Sequence, residues 1–461
     1  MSASLFKTVM KNAALLVGGR SLNAPLSLAY LAISARALGV HDFGVVVLVN
    51  AFALTVGNLA KFESWQAVLH YGSKPLAEGA HNDFHRILRF SLVLDLISAV
   101  VGLAAGLIGA AFFGHLMGWP PDAKLPGMIY ATCTVFMVAA TPTGVLRMFG
   151  RFDLLALQSA ASSLVRVVGS AIAWAAGGGI VGVLAAWYAG QVAAFVVLAW
   201  LARAELRRQG HTKIRPTGPL ARGFPGLWRF VWATNLSSSL EQVFTQAGAL
   251  AVGGLLGPAD AGFFRIARQV ATAISKPAQL VVYALYPELA KLRAAGQIAG
   301  LRELAWRVGL AGGAAATVLM LVAAVAGRPL LALVLGAEFA QAAPVLLWLV
   351  GAAAIGIWGL PLEPMLISAG RAGSAVRVRI VASVLFLAAL FPLTRTFGLD
   401  GAGAASVGAA VLMLAGMLAS VIRWSRSVVV GTAGSSAPAA LDPEKPASPA
   451  AVSDGEIGYR Q

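Results

Sequence analysis

Among the ionisable residues within apolar runs long enough to cross a bilayer, eleven are the groups best placed to do chemistry. Seven are cations (Arg20, Lys61, Arg166, Arg265, Arg268, Lys276 and Arg307) and four are carboxylates (Glu63, Asp95, Glu241 and Glu363). A charge at membrane depth is costly, so such a residue faces a cavity or a partner. The cationic excess suits an anionic ligand; a site for cations calls for the opposite bias. Arg20 is about eight residues into the first run, roughly 12 Å from its start at 1.5 Å per residue. Arg265 and Arg268, spaced i, i+3, share a helix face. Lys276 follows deeper in the same run, with Pro277 behind it to bend the helix. Glu241 lies mid-way along the seventh run, with Gln242 and Gln246 nearby. The spacing therefore proposes Arg20, Arg265, Arg268 and Lys276 as an anion site, Arg166 and Lys61 as further lining, and Glu241 as the counter-charge. Competing readings remain for several. Arg20 or Lys61 can snorkel to the headgroups, and Arg166 can pair structurally with Asp95. Lys61 and Glu63, two apart on a helix, should not face each other.

Catalytic signatures are absent from the chain. It has no G-x-S-x-G elbow, no G-x-x-x-x-G-K-[ST] loop and no paired C-x-x-C. Of six histidines only His81 and His85 have i, i+4 spacing, and a solvated loop is the expected setting rather than a metal site. No cofactor or metal is expected, and without an ATP site any work must come from an ion gradient, the membrane potential or mass action. The single cysteine, Cys133, rules out an intrachain disulfide.

The elements that must position these charges are membrane helices. The chain has 461 residues, of which 58% are hydrophobic and 12% charged; a soluble domain carries about 25% charge. Apolar runs of about 20 residues fall at 12–37, 44–69, 87–113, 125–146, 154–177, 180–202, 227–256, 262–286, 302–326, 342–366, 374–396 and 401–424. The first is too long for the apolar part of a signal peptide and reads as a retained span. Lys and Arg crowd the segments that share a side with the N-terminus, while the opposite loops hold only Arg36, Lys124, Arg328 and Arg395. The positive-inside rule then puts both termini in the cytoplasm of a multi-pass membrane protein. It also accounts for the net charge of +16 without nucleic acid.

The chain also repeats itself in parallel. Leu38-Gly39-x-x-Asp42-x-Gly44 returns as Leu256-Gly257-x-x-Asp260-x-Gly262, Leu146-x-x-x-Gly150-Arg151 as Leu366-x-x-x-Gly370-Arg371, and Gly182-x-x-Ala185-Ala186 as Gly401-x-x-Ala404-Ala405. One offset near 219 serves all three. The fold predicted is all-α: about twelve transmembrane helices in two parallel-repeat lobes about an axis along the membrane normal. The boundaries are an N-lobe at 1–202, a basic cytoplasmic linker at 203–226, a C-lobe at 227–426 and a disordered tail at 427–461. The offset sets Glu241 opposite position 22, beside Arg20, so related helices present opposite charges at one depth. One chain carrying both lobes is expected to act as a monomer.

The opening span with Arg20, the Ala35-Arg36-Ala37-Leu38-Gly39 junction, the Leu335-Gly336-Ala337-Glu338-Phe339 turn and the Gly398-Leu399-Asp400-Gly401 segment carry a resemblance over nearly the whole chain except its tail. They resemble the oligosaccharide flippase family of the multidrug/oligosaccharidyl-lipid/polysaccharide exporter superfamily. The resemblance implies a V-shaped pair of lobes that moves undecaprenyl-diphosphate-linked glycan units across the inner membrane by alternating access, for O-antigen, capsule or exopolysaccharide. It implies lipid-linked oligosaccharide as substrate, membrane lipids as surroundings and other polysaccharide-assembly proteins as candidate partners. Arg20 matches the family's first-span arginine; Arg265, Arg268 and Lys276 match by helix and character. Twelve spans disfavour the peptidoglycan-precursor branch, which typically has fourteen. The rival readings are a multidrug/cation antiporter of the multidrug and toxin extrusion type, which needs acids that the first lobe offers only as Asp95 and Glu63, and a membrane glycan polymerase or ligase, which needs large outer loops.

Overall fold

The structure, a computed structural model, describes residues 23–114, 119–211, 219, 221, 223–294, 297–369 and 371–434. Among these every element is helical. The first lobe contains α1 (Asn23–Ala60), α2 (Trp65–Ala77), α3 (His81–Phe113), α4 (Lys124–Ala131), α5 (Ala140–Met148), α6 (Phe152–Ala175) and α7 (Gly179–Arg208). The second contains α8 (Leu227–Leu256), α9 (Pro258–Ala294), α10 (Ile298–Leu335), α11 (Ala343–Trp358), α12 (Leu362–Ser368) and α13 (Ala372–Gly434). Eight stretches of the described residues are long and apolar enough to cross a membrane, and two of them run for 53 residues. Those two break at Gly39 (φ 73°, ψ −179°) and Gly398 (φ 61°, ψ −140°) into two arms each. Divided there, and with α8 and α9 added, the described residues make twelve passes in two lobes.

The repeat has a backbone counterpart. Gly257, which ends α8, has φ 100° and ψ −179°, the conformation of its mate Gly39. Positive φ is cheap only for glycine. The next glycines of the motif, Gly44 and Gly262, bring the lobes together. A Cβ on Gly262 would lie 3.4 Å from the Gly44 Cα, and one on Gly44 would overlap the Pro258 carbonyl. Where lipid removes the hydrophobic drive, such close approach of small residues is what holds membrane helices together.

Packing sets the shape. At the Gly39 end one core spans both lobes, with Phe43, Leu48 and Phe52 buried together with Val252, Phe264 and Phe339. Phe43 and Phe263 both pack edge-on to Phe339, at 5.9 and 6.0 Å between ring centroids. Arg36 strengthens this closure. Its Nε donates to the Val334 carbonyl at 2.7 Å and its Nη2 to that of Leu333, and these C-terminal carbonyls of α10 have no partner within their own helix. At the basic end the core divides. Phe84, Ile87, Leu146 and Leu198 form one cluster, Leu285, Leu289, Leu304 and Leu366 another, and only the start of α8 (Leu227, Val231) reaches across to the first. Joined at one end and separate at the other, the lobes make a V. Large apolar side chains cover the outside, up to 83% exposure at Val325, as a lipid-facing surface requires.

Several boundaries differ from the sequence expectation. The run at 44–69 leaves the helix after Ala60 and restarts as α2, that at 125–146 is interrupted by a 3-10 turn at Thr132–Met137, and that at 342–366 breaks between α11 and α12. Helix α7 continues past residue 202 to Arg208. Helix α13 runs to Gly434, into the segment expected to be disordered, because Val428-Val429-Val430 extends its apolar sequence; 435–461 lie outside the described residues.

Candidate functional site

Where the V closes, two arginines from opposite lobes converge on Tyr30 of α1. Arg166 of α6 fits because Gly190 of α7 faces it: a Cβ there would sit 2.8 Å from the Arg166 Nε and overlap its aliphatic stem. Its Nη2 donates to the Gln191 Oε1 at 3.0 Å. The guanidinium lies 5.4 Å from the Tyr30 ring centroid and 6.0 Å from that of Trp187, close enough for cation–π attraction. Trp187 packs edge-on to Tyr30 at 5.3 Å and donates from Nε1 to the Ser34 Oγ at 3.2 Å. Arg265 of α9, from the other lobe, acts electrostatically on the same tyrosine. The buried Nε atoms of both arginines have no hydrogen-bond partner. Among the described side chains no carboxylate pairs with Arg166, Arg265 or Arg268. Buried charge without a counter-ion is strongly unfavourable.

Arg268 opens onto a cavity of about 870 Å³ within the second lobe. With Thr272, Ser275 and Gln279 it forms one polar stripe along α9, spaced i, i+4, i+7 and i+11, facing Ser383 and Ser406 of α13. Phe264, Leu349 and Phe386 supply apolar walls. Arg268 packs toward Gly248 of α8, where an added Cβ would lie 3.7 Å from its Nη1. The other arginine of the cavity, Arg379, is neutralised, since its Nη2 donates to both Glu363 oxygens at 2.7 and 2.6 Å. Arg265 and Arg268, neighbours on α9, thus link the interlobe cluster to the cavity.

The other candidates fall elsewhere. Arg20 lies outside the described residues, as does the side chain of Glu241, whose position is on α8. Lys276 is exposed on α9 and does not line the cavity, so the three cations of that helix do not share one setting. Lys61 is held by Glu63, Nζ to Oε1 at 3.1 Å. The two do face each other, because the chain has left the helix at Lys61. Asp95 does not pair with Arg166. It accepts from the Thr141 backbone N–H at 2.9 Å and the Ser64 hydroxyl at 3.2 Å. Thr141 begins α5 and Ser64 precedes α2, so the carboxylate sits at the positive ends of two helices. Ser91 completes the network, donating to Ser64 at 2.7 Å and accepting from Thr141 at 2.8 Å. Tyr30 and Trp187 carry no signal in the sequence. Gln191 does: it is an amide inside an apolar run. His85 Nε2 lies 3.1 Å from His211 Nδ1, and among the described residues no group of three His, Cys, Asp or Glu is arranged to hold a metal.

Known proteins share this fold. The inner membrane protein YghQ of Escherichia coli (strain K12) is 33% identical over 339 residues, 73% of this chain and 95% of that protein. A multidrug resistance MATE family transporter in its inward-facing conformation superposes with a TM-score of 0.73 at 15% identity, over 91% of this chain and 98% of the other. The lipid II flippase MurJ, in an inward closed conformation, gives 0.62 at 14% identity over 88% and 87%. At these identities the two structures establish a shared fold. A family model described as polysaccharide biosynthesis protein matches residues 9–293, and this inner membrane transporter belongs to that family, within the multidrug/oligosaccharidyl-lipid/polysaccharide exporter superfamily.

Proposed function

We propose that the protein flips lipid-linked oligosaccharide, carried on undecaprenyl diphosphate, across the inner membrane for surface polysaccharide assembly. The observation that carries this reading is the unneutralised arginine cluster, Arg166 and Arg265 meeting at Tyr30 with Arg268 beside them. A diphosphate supplies the negative charge and the acceptor oxygens these guanidinium groups lack, and charge-assisted bonds to phosphate are the strong kind. With both termini cytoplasmic, the V opens to the cytoplasm, where such a substrate is loaded. Transport then breaks the closure of Phe43, Gly44 and Arg36 on the second lobe and closes the basic end. Substrate binding helps by relieving repulsion between cations of opposite lobes. Arg20 and Glu241 belong to this reading as the first-span cation and the charge that resets the empty site.

The test is a deletion strain complemented with variants. Lipid-linked glycan should accumulate in the deletion strain. Arg265→Ala and Arg20→Ala should each lower surface polysaccharide more than about tenfold, in keeping with a lost charged hydrogen bond worth about 1.5–3 kcal/mol, at unchanged membrane protein levels. Wild-type polysaccharide from Arg265→Ala would remove the cluster from the transport path. Altered drug susceptibility without glycan accumulation would favour the cation antiporter instead.

A further inference from the structure

The two arms of α13 enclose a second opening, of about 380 Å³, at the basic end of the second lobe. Three arginines line it: Arg371 just before the helix, Arg377 on the first arm and Arg423 on the second, with Ser374 and Ser420 between them. The arms are antiparallel, so these residues share one level. Deeper along both arms the lining turns apolar, with Val378, Val381 and Leu412. Val381 and Leu412 are 57% and 46% exposed, which at this depth means exposed to lipid. Gly416 keeps the crease open, since a Cβ there would lie 2.7 Å from the Val378 Cγ1. Among the described residues no carboxylate lines the opening. Arg377 and Arg423 make only long contacts to their own helices, at 3.4 Å to the Gly373 carbonyl and 3.3 Å to that of Ala419.

The repeat shows what this place looks like when it is purely structural. Arg151 is the first-lobe mate of Arg371. It is closed off by two acids, Nη2 to the Asp153 Oδ2 at 2.9 Å and Nη1 to the buried Glu205 Oε2 at 2.7 Å. Shifted by the repeat offset, Asp153 falls on Gly373 and Glu205 on Trp424 or Ser425. The second lobe keeps the arginine, adds Arg377 where the first has Leu157, and has lost both acids, while Arg423 matches Arg203. Loop charge bias alone accounts for cations at this end, but not for a concave trio above an apolar floor in one lobe only.

We propose that this crease binds an anionic phospholipid of the leaflet at the basic end, its phosphate between Arg371, Arg377 and Arg423 and an acyl chain along Val378, Val381 and Leu412. Basic pockets between membrane helices suit such headgroups. The apolar floor favours a lipid over free phosphate, and the small volume favours a phospholipid over a glycan-bearing diphosphate. The site lies on the flank of α13 away from the 870 Å³ cavity, with Ala382 lining both, and it stands whatever the transported cargo is.

Native mass spectrometry of the purified full-length chain tests this, with phosphatidylglycerol, phosphatidylethanolamine, undecaprenyl diphosphate and inorganic phosphate as separate additions. Phosphatidylglycerol should be retained about tenfold or more over phosphatidylethanolamine, three guanidinium groups each contributing to headgroup attraction, and inorganic phosphate should not displace it. The preference should vanish in the Arg371→Gln/Arg377→Gln/Arg423→Gln variant. It should also fall in Gly373→Asp, which restores an acid that the first lobe folds with, and in Gly416→Leu, which fills the crease without changing charge. Equal retention of both phospholipids, displacement by inorganic phosphate, stronger retention of undecaprenyl diphosphate, or full binding in Gly416→Leu would each overturn the assignment. Loss of polysaccharide export is not among the readouts, so failure here is separable from failure of the flippase reading.

Discussion

Asp95 and Arg166 are both charges inside the first lobe, yet the structure gives them opposite roles. Asp95 accepts from a backbone N–H in the first turn of α5 and from the Ser64 hydroxyl before α2, so Asp95→Ala should destabilise the protein by about 2 kcal/mol, the loss of buried hydrogen bonds to a charged group, read as a lower melting midpoint in detergent. Arg166 has an orphaned Nε and no acid partner among the described side chains. Arg166→Ala should therefore lower the midpoint less than Asp95→Ala does, losing only the Gln191 bond and the ring contacts, while polysaccharide output falls. Equal destabilisation by both would make Arg166 structural. At the basic end, burial and then the charges of His85 and His81 hold the His211 imidazole below its ordinary range. The folded protein thus takes up fewer protons than the unfolded chain just below pH of about 6.5, so stability is present above that pH and lost as pH falls through the window. Midpoints between neutral and mildly acidic pH should show this slope in the wild type and a flatter one in His211→Gln. The sequence makes the cationic bias visible, because charges stand out against apolar runs. It hides the partners of Asp95 and Lys61, since both depend on the helix breaking at 61–64, which apolar composition alone does not reveal.

The helices make room for these groups with glycine. Gly190→Leu should push the Arg166 stem out of its place on α7 and reduce transport as much as Arg166→Ala does, while Gly356→Leu, at a helix position facing open space, should not. The comparison separates a loss of positioning from a general cost of bulk. Passes and repeat are legible in the sequence because both are long-range patterns: about 20 apolar residues, and one offset shared by Gly39 with Gly257 and Arg151 with Arg371. Interruptions within a pass are not, because Thr132–Met137 and Gly359–Pro361 leave the average hydropathy of the pass unchanged. The site is legible only in part for the same reason. Arg265 and Arg268 are found by helix spacing, but the divergence of their surroundings, one to Tyr30 and one to the cavity, depends on how the lobes meet.

Across the whole molecule the contact between Phe43 and Gly262 is the closure that opens in the proposed transport cycle. A Cβ on Gly262 lies 3.3 Å from the Phe43 ring, and Cys133 is the chain's only cysteine. In a Cys133→Ser background, Phe43→Cys with Gly262→Cys should crosslink readily through a short bifunctional reagent and arrest polysaccharide export, with release on cleavage of the linker; export undiminished by complete crosslinking would show that this end never separates. The matched backbone of Gly39 and Gly257 also bears on descent. A half-length ancestor with this turn had no opposing wall of its own, so it could have enclosed a chamber only by pairing with an identical copy. In such a pair every charge gained on one side appears on both, and like charges then confront each other across the axis. Fusion into one gene removed that constraint. Arg265 and Arg268 could arise on one copy while their matches at the local offset of 218, Val47 and Asn50, stayed uncharged.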